Sequence, residues 1–190
     1  MPSSVSDIEL WDLFVQGKKE ALGEIFKRYY PLLFQYGGKI CPDAATLEDC
    51  IQELFTELWQ KKSNTPIQSV RAYLLQALKY KLYKSFRNKK MTAGLKENED
   101  DYFEFSHEMF LINRYEDEQR LKKIANAINQ LPARQKEIIY LKIYKGLSYE
   151  EISEIMEINY QVVRNLLCQA LKTFRKLIIP ATFLFTVLNN

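Results

Sequence analysis

The stretch LSYEEISEIMEINYQVVRNLLCQALKTFRK, residues 147–176, decides the fold. Ser148 is followed three residues later by Glu151, the spacing of a capping box, in which the hydroxyl and the carboxylate each satisfy a backbone N–H of the other residue. Leu147 and Ile152 occupy the two positions of a hydrophobic staple around that cap. Asn159 is a second capping residue, and it opens a long helix from about Tyr160 to Ile178. A short helix, a turn of three or four residues and a longer helix make a helix-turn-helix, whose second helix enters the major groove of DNA. On that helix Val163, Leu167, Ala170, Phe174 and Leu177 recur at helical spacing and predict the core face. The opposite face carries Gln161, Arg164, Asn165, Gln169 and Lys172. Arg pairs bidentately with guanine, and Asn and Gln pair with adenine, so these are the residue types of a base reader. An ordinary helical hairpin with a solvated polar face is the blander alternative.

Upstream, Pro132 stands where the first turn of a helix tolerates a missing N–H. Ile138, Ile139, Leu141 and Ile143 are predicted to line that helix, and Gly146 to end it as a left-handed cap. Further back, Ile8, Leu10, Trp11, Leu13, Phe14, Leu22, Ile25, Phe26, Tyr29 and Tyr30 form an apolar stripe over two helices in residues 7–36, broken near Gly17. A third helix is predicted over about 46–61, with Ile51, Leu54, Phe55 and Leu58 inward. Residues 62–69, rich in Ser, Asn and Pro, read as a loop. A fourth helix is predicted over about 70–89. It holds seven basic residues and no acidic one between Val70 and Lys90. Leu74, Leu78, Leu82 and Phe86 are its buried stripe. Tyr73, Gln76, Tyr80, Tyr83 and Arg87, interleaved with Lys79 and Lys84, mix rings with cations, as single-stranded nucleic acid requires. Tyrosines packed on the first two helices beside wet lysines explain the same pattern.

The net charge of +3 hides an asymmetry. Residues 1–90 carry 14 basic and 10 acidic groups, 91–118 carry 2 and 9, and 119–190 carry 11 and 5. Two mildly basic blocks therefore flank an acidic connector, an arrangement suited to two polyanion contacts. The connector lacks periodicity and reads as a partly disordered linker, with Tyr102, Phe103 and Phe105 as points of contact. The three cysteines, Cys41, Cys50 and Cys168, are scattered, and His107 is the single histidine. That set predicts no metal site and fits a reducing cytosol. No phosphate loop, glycine-rich fingerprint or nucleophile–base pair suggests an enzyme, and no cofactor is implied. Glu150 and Glu151 sit in a helix first turn, where they favour the macrodipole. The apolar tail from Leu177 to Leu188 is broken by Pro180 and too short for a bilayer. It is expected to fold back on its own C-terminal domain or across onto the N-terminal one.

Two blocks resemble the sigma-70 family of RNA polymerase subunits, specifically its extracytoplasmic-function group. EDCIQELFTELW, residues 48–59, is similar to the family's polymerase-binding helix. LPARQKEIIYLKIYKGLSYEEI, residues 131–152, together with the following helix, is similar to its minus-35 reader. Residues 71–90 resemble its minus-10 melting helix. The resemblance implies an all-α protein with a four-helix region 2 domain (1–90), an acidic flexible linker (91–118), a region 4 helix-turn-helix domain (119–179) and an apolar tail (180–190). It implies that Asp49, Gln52, Glu53 and Glu57 bind core polymerase. It assigns minus-10 DNA to Lys62, Asn64, Tyr73, Gln76, Lys79, Tyr80, Tyr83, Lys84 and Arg87, with the loop 61–69 receiving a flipped base. It assigns minus-35 DNA to Ser148, Tyr160, Gln161, Arg164, Asn165, Gln169 and Lys172. The implied partners are core polymerase, promoter DNA and an anti-sigma factor, in the cytoplasm and without membrane insertion. Glu157 stands where the family usually has Gly in the turn, so a left-handed residue there would cost about 1 kcal/mol or more. Leu166, Cys168, Gln169 and Leu171 replace more basic residues, and Tyr80 replaces an Asn of many relatives. A second reading keeps the DNA motif but makes the chain a stand-alone regulator whose N-terminal helices sense a ligand or dimerise. A helical adaptor without nucleic-acid function is a third.

Overall fold

The computed structural model describes residues 5–61, 66–93, 103–105 and 118–178. Among them every regular element is helical: α1 (Asp7–Val15), α2 (Lys19–Gly37), α3 (Ala44–Lys61), α4 (Val70–Ala93), α5 (Glu118–Asn129), α6 (Ala133–Ile139), a π-helical turn (Tyr140–Tyr144), α7 (Tyr149–Met156) and α8 (Tyr160–Ile178). Contacts divide the chain into two compact units, the first holding α1 to α4 and the second α5 onward except Glu154–Met156.

In the first unit α2 is the central helix, packed against α1, α3 and α4. Leu10, Trp11 and Phe14 of α1, Ile25, Leu33 and Tyr36 of α2, Ile51 and Leu54 of α3, and Leu74, Leu78 and Leu82 of α4 fill its core. Each fully buried Leu or Ile contributes about 1.5–3 kcal/mol relative to exposure. Edge-on rings lock the corners: Trp11 lies 5.1 Å from Tyr73, and Phe26 lies 5.0 Å from Phe55. Two stripe residues depart from the expectation. Ile8 and Leu13 are exposed, because α1 is nine residues long and only the rotation that holds Leu10, Trp11 and Phe14 faces α2.

Helix α1 is fixed at its start. Ser6 and Glu9 form a capping box, with the Ser6 N–H donating to Glu9 at 2.8 Å. Asp7 then accepts hydrogen bonds from Arg28 Nη1 at 2.8 Å and Tyr29 OH at 2.5 Å, both from α2. Partial burial alone pushes the Asp7 carboxyl up. The hydrogen bonds of Tyr29 and Arg28, with the charges of Arg28 and Arg71, overturn that and leave it below its ordinary value.

In the second unit α8 packs against α5 and α6. Ile138, Ile139, Leu141, Leu147, Ile152, Val163 and Ala170 are buried. Pro132 proves to be the residue before the first turn of α6, not a member of it, with φ −53° and ψ 147°. Ile143 is a clear correction, at 61% exposure, while Tyr140, which the periodicity left out, is fully buried. Tyr140 directly follows the enclosed end of α6, where Lys136, Glu137, Ile138 and Ile139 are all buried, and the π-helical turn that starts there accounts for Ile143. Lys145 N–H donates to Tyr140 O at 3.0 Å, an i to i+5 bond, and this wider turn rotates the side chains that follow out of α-helical register. Gly146 then reverses the chain at φ +63°, as a left-handed cap must. Leu177, predicted inward, is exposed at the last turn of α8, and Phe174 is half-buried.

Two of the connector's expected points of contact are made. Phe103 and Phe105 are buried in the second unit, with ring centroids 5.7 and 5.9 Å from Tyr140. The Asn129 amide closes the contact. It accepts from the Phe105 N–H at 3.1 Å and donates to the Phe105 carbonyl at 3.0 Å. Most other connector residues, among them Tyr102 and His107, lie outside the described residues, as does the tail 180–190.

Because the Asp7 carboxyl is held below its ordinary value, its stabilising contribution is present at neutral pH and is lost as pH falls through the lowered value. In Asp7→Asn the first unit loses stability at neutral pH, and the gap to wild type closes as pH falls through the lowered value. Urea titrations at several pH values check this; an unchanged gap across the range contradicts it.

Candidate nucleic-acid interface

Residues Asp49, Gln52 and Glu53 lie at i, i+3 and i+4 on α3 and are all exposed, opposite the buried Ile51, Leu54, Phe55 and Leu58. Glu57, one turn further, is only half-exposed. Its carboxylate accepts from Lys81 of α4 at 2.6 Å and from Lys61 at 3.3 Å. These two hydrogen bonds, Lys81 first, hold the Glu57 carboxyl below its ordinary value. Lys81 also reaches Glu53 at 3.8 Å, and its side chain is 12% exposed. The sequence pattern groups Lys81 with the wet lysines of α4. Its place immediately before Leu82 of the buried stripe is the one signal that sets it apart.

On α4 the assigned residues divide. Tyr80, at 63% exposure, Lys84 and Arg87 present themselves to solvent. Tyr73, Gln76, Lys79 and Tyr83 are half-buried. Tyr73 is a wall of the Trp11 cluster, so packing on the first helix holds for this tyrosine. Lys79 Nζ sits 5.8 Å over the Tyr83 ring, placing a cation on an aromatic face beside Tyr80. Lys62 and Asn64 lie outside the described residues.

The helix-turn-helix forms as its caps require. Ser148 Oγ accepts from the Glu151 N–H at 3.1 Å, and the Ser148 N–H donates to Glu151 at 2.9 Å. Asn159 Oδ1 accepts from the Val162 N–H at 2.9 Å. Between them Glu157 adopts φ +53°, the left-handed conformation that glycine would take without strain. Ser153 Oγ donates to the Ile158 carbonyl and ties the turn to α7. On α8, Gln161, Arg164, Asn165, Gln169 and Lys172 are all exposed, while Val163, Leu167 and Ala170 behind them are buried. The Gln161 amide donates to Asn165 Oδ1 at 3.1 Å, so two assigned base readers present one joined polar edge. Tyr160 is exposed, with its ring 5.5 Å from that of Tyr149. Lys142, whose Nζ lies 4.3 Å over the Tyr149 ring and donates to Leu147 O at 2.9 Å, completes a cluster at the starts of α7 and α8. Neither Lys142 nor Tyr149 stands out in the sequence. None of the three cysteines is in a disulfide: Cys41 and Cys50 are buried, the Cys41 thiol donating to the Asp43 carbonyl at 3.4 Å, and Cys168 is exposed on α8. Among the described residues no group of side chains is arranged to hold a metal ion, and no helix is long and apolar enough to cross a membrane.

Residues 25–92 match the family description Sigma-70 region 2, and residues 121–174 match Sigma-70, region 4. Together these matches cover well over half of the chain, and the chain belongs to the sigma-70 family. It is an RNA polymerase sigma factor of the extracytoplasmic-function type, directing core polymerase to promoters to initiate transcription. Solved structures that share its fold include CnrH and the sigma factor RpoE. CnrH, solved in complex with the cytosolic domain of CnrY, is 17% identical, with a TM-score of 0.62 over 90% of this chain and 96% of that one. The sigma factor RpoE from Bartonella quintana, solved with the anti-sigma factor NepR, is 18% identical, with a TM-score of 0.59 over 84% of this chain and 97% of that one. No curated protein matches by sequence. The region 2 match over residues 25–92 does not favour the stand-alone regulator reading.

The left-handed Glu157 carries a penalty of about 1–2 kcal/mol that glycine escapes. Glycine in turn adds about 0.5–1 kcal/mol of chain entropy cost. Glu157→Gly is expected to raise the stability of the second unit by roughly 0.5–1 kcal/mol, and Glu157→Val to lower it. Thermal melts of both variants measure the sign.

Proposed function

We propose that the work of initiation is divided among the surfaces just described. The acidic face of α3, Asp49, Gln52 and Glu53 with Glu57 at its edge, takes core polymerase. The exposed Tyr80, Lys84 and Arg87 of α4, with Tyr73, Gln76, Lys79 and Tyr83 behind them and together with Lys62 and Asn64, take the opened minus-10 strand. Rings that stack on bases beside cations that meet phosphates hold a single strand with little sequence demand. The N-terminal half of α8 takes the minus-35 element. Gln161, Arg164 and Asn165 meet base edges, while Ser148, Tyr160, Gln169 and Lys172 flank them. The corresponding divisions are 1–90 for the first domain, 91–118 for the connector, 119–179 for the second domain and 180–190 for the tail.

The observation that carries this reading is the polar row of α8 set directly behind a capped, left-handed turn. It presents Arg, Asn and Gln outward on a helix whose rotation is fixed by its buried row. A charged pair such as Lys81 and Glu57 supports the α3 assignment by holding that acid ionised. A non-enzymatic role in the cytoplasm fits a chain whose candidate residues all suit recognition. CnrH and RpoE are each solved with a protein partner, and we infer that this chain is likewise held by an anti-sigma protein.

In vitro transcription with core polymerase on genomic DNA, with start sites mapped, tests the whole reading. Replacing Asp49, Gln52 and Glu53 together by Ala is expected to abolish polymerase pull-down while circular dichroism stays that of the wild type. Normal pull-down by this variant removes the α3 assignment. For the second unit, Arg164→Ala should weaken promoter binding by about 1–3 kcal/mol and relax selectivity at one position. Lys172→Ala should weaken binding evenly and lower the salt slope by about 1. An Arg164→Ala variant with unchanged base preference would show that this arginine does not read a base.

A further inference from the structure

Gln161 and Asn165 stand one turn apart on the solvent face of α8, and Gln161 Nε2 donates to Asn165 Oδ1 at 3.1 Å. The backbone beneath them is fixed. Asn159 accepts from the Val162 N–H at 2.9 Å, and Val163, between the two amides, is fully buried. Amides facing each other at i and i+4 are a stabilising pair on a helix surface. Each side-chain amide holds one carbonyl oxygen and two N–H donors, so the bond makes the two residues unlike. Asn165 has its oxygen engaged and keeps its donors. Gln161 has given one donor and keeps an N–H and its carbonyl oxygen, which together form a donor–acceptor edge. Adenine offers the matching pair in the major groove, an acceptor at N7 and a donor at N6. Guanine shows two acceptors there, cytosine a donor, and thymine an acceptor beside a methyl group.

We propose that Gln161 is the adenine-reading residue of α8 and that Asn165 is its positioning residue, holding the glutamine amide the right way round before DNA arrives. The inference rests on the proposal that α8 takes the minus-35 element, and it divides the labour within that surface. A glutamine amide turns easily about its last torsion, and turning it over exchanges donor and acceptor, so the match to adenine is lost. The Asn165 oxygen removes that choice, because only an N–H can meet it. A side chain ordered in advance also loses less rotamer freedom when it binds. Residue type alone makes both Gln161 and Asn165 adenine readers. The hydrogen bond between them separates the one that reads from the one that orients. Arg164 carries donors only and suits the two acceptors of guanine, so neighbouring residues on α8 ask for different bases.

The test gives the full chain and core polymerase templates from a mapped promoter randomised over its minus-35 element, and reads base preference at every position from the transcripts. Wild type is expected to favour adenine about tenfold over the other bases at one position. Gln161→Glu carries acceptors only and should move the preference at that position to cytosine, whose N4 donates. Asn165→Ala should reduce the adenine preference to about threefold, because the released amide turns over. Asn165→Asp keeps an oxygen that accepts from Gln161. It should return the preference to about tenfold while its negative charge lowers yield evenly at all positions. A contribution to helix stability alone would lower yield and leave the base profile as it was. If Gln161→Glu leaves every adenine preference intact, or if wild type shows none, Gln161 does not read adenine. An Asn165→Ala profile identical to that of wild type overturns the positioning role. Arg164→Ala is the control. If it alters preference at its own position and the Gln161 variant alters none, this proposal fails by itself; if wild type has no base preference anywhere in the element, the minus-35 reading fails with it.

Discussion

Val163, Leu167 and Ala170 fix the rotation of α8, and the rest of the second unit is arranged to make that possible. A helix shows a partner only those residues that its buried row leaves outside. With these three side chains packed against the α5 and α6 side, Gln161, Arg164, Asn165, Gln169 and Lys172 have no freedom to face anywhere but out. The capping box at Ser148, the left-handed Glu157 and the Asn159 cap set where α8 begins, so both its rotation and its register are specified. Base recognition depends on side-chain placement to within a fraction of an ångström, and a doubly capped turn offers that accuracy to the residues proposed to read bases.

In the first unit the same economy takes an electrostatic form. Acidic α3 and basic α4 are neighbours, and Lys81 joins them by reaching from the edge of the α4 core to Glu57 and Glu53. A lysine with so little exposure must be paired, and its partners are acids of the face assigned to polymerase. The faces proposed for a protein partner and for a polyanion, the latter bearing Lys84 and Arg87, therefore carry opposite sign on one small domain.

Long helices with strong punctuation were legible in the residues. The caps at Ser148, Asn159 and Gly146, the inward row of α3, Leu74, Leu78 and Leu82 of α4 and the outward row of α8 all follow from period and end chemistry, while Phe86, expected inward, is half-buried. What escaped has a common character. Ile8 and Leu13 look like core on a helix too short to bury every apolar side chain it carries. Ile143 turned outward because a π-helical turn breaks the 3.6-residue count without any Gly or Pro to announce it, and Tyr140 went inward because the end of α6 is enclosed on every side. The docking of Phe103 and Phe105 depends on a partner surface formed only with Tyr140 inward. In the candidate sites the residue types could be named from sequence. Which of Tyr73, Tyr80 and Tyr83 would stand free, and which lysine would be spent on an ion pair, depended on neighbours from other helices.

Cys168 gives this architecture a practical property. It lies on the solvent side of α8, one turn from Arg164 and one from Lys172, and the other two thiols are enclosed in the first unit. A maleimide dye offered to the native protein would therefore select the recognition helix unaided, without any engineered cysteine. Its emission would sense the approach of DNA to that surface directly. The same accessibility makes α8 the place where an oxidant or electrophile would first meet a thiol of the folded chain.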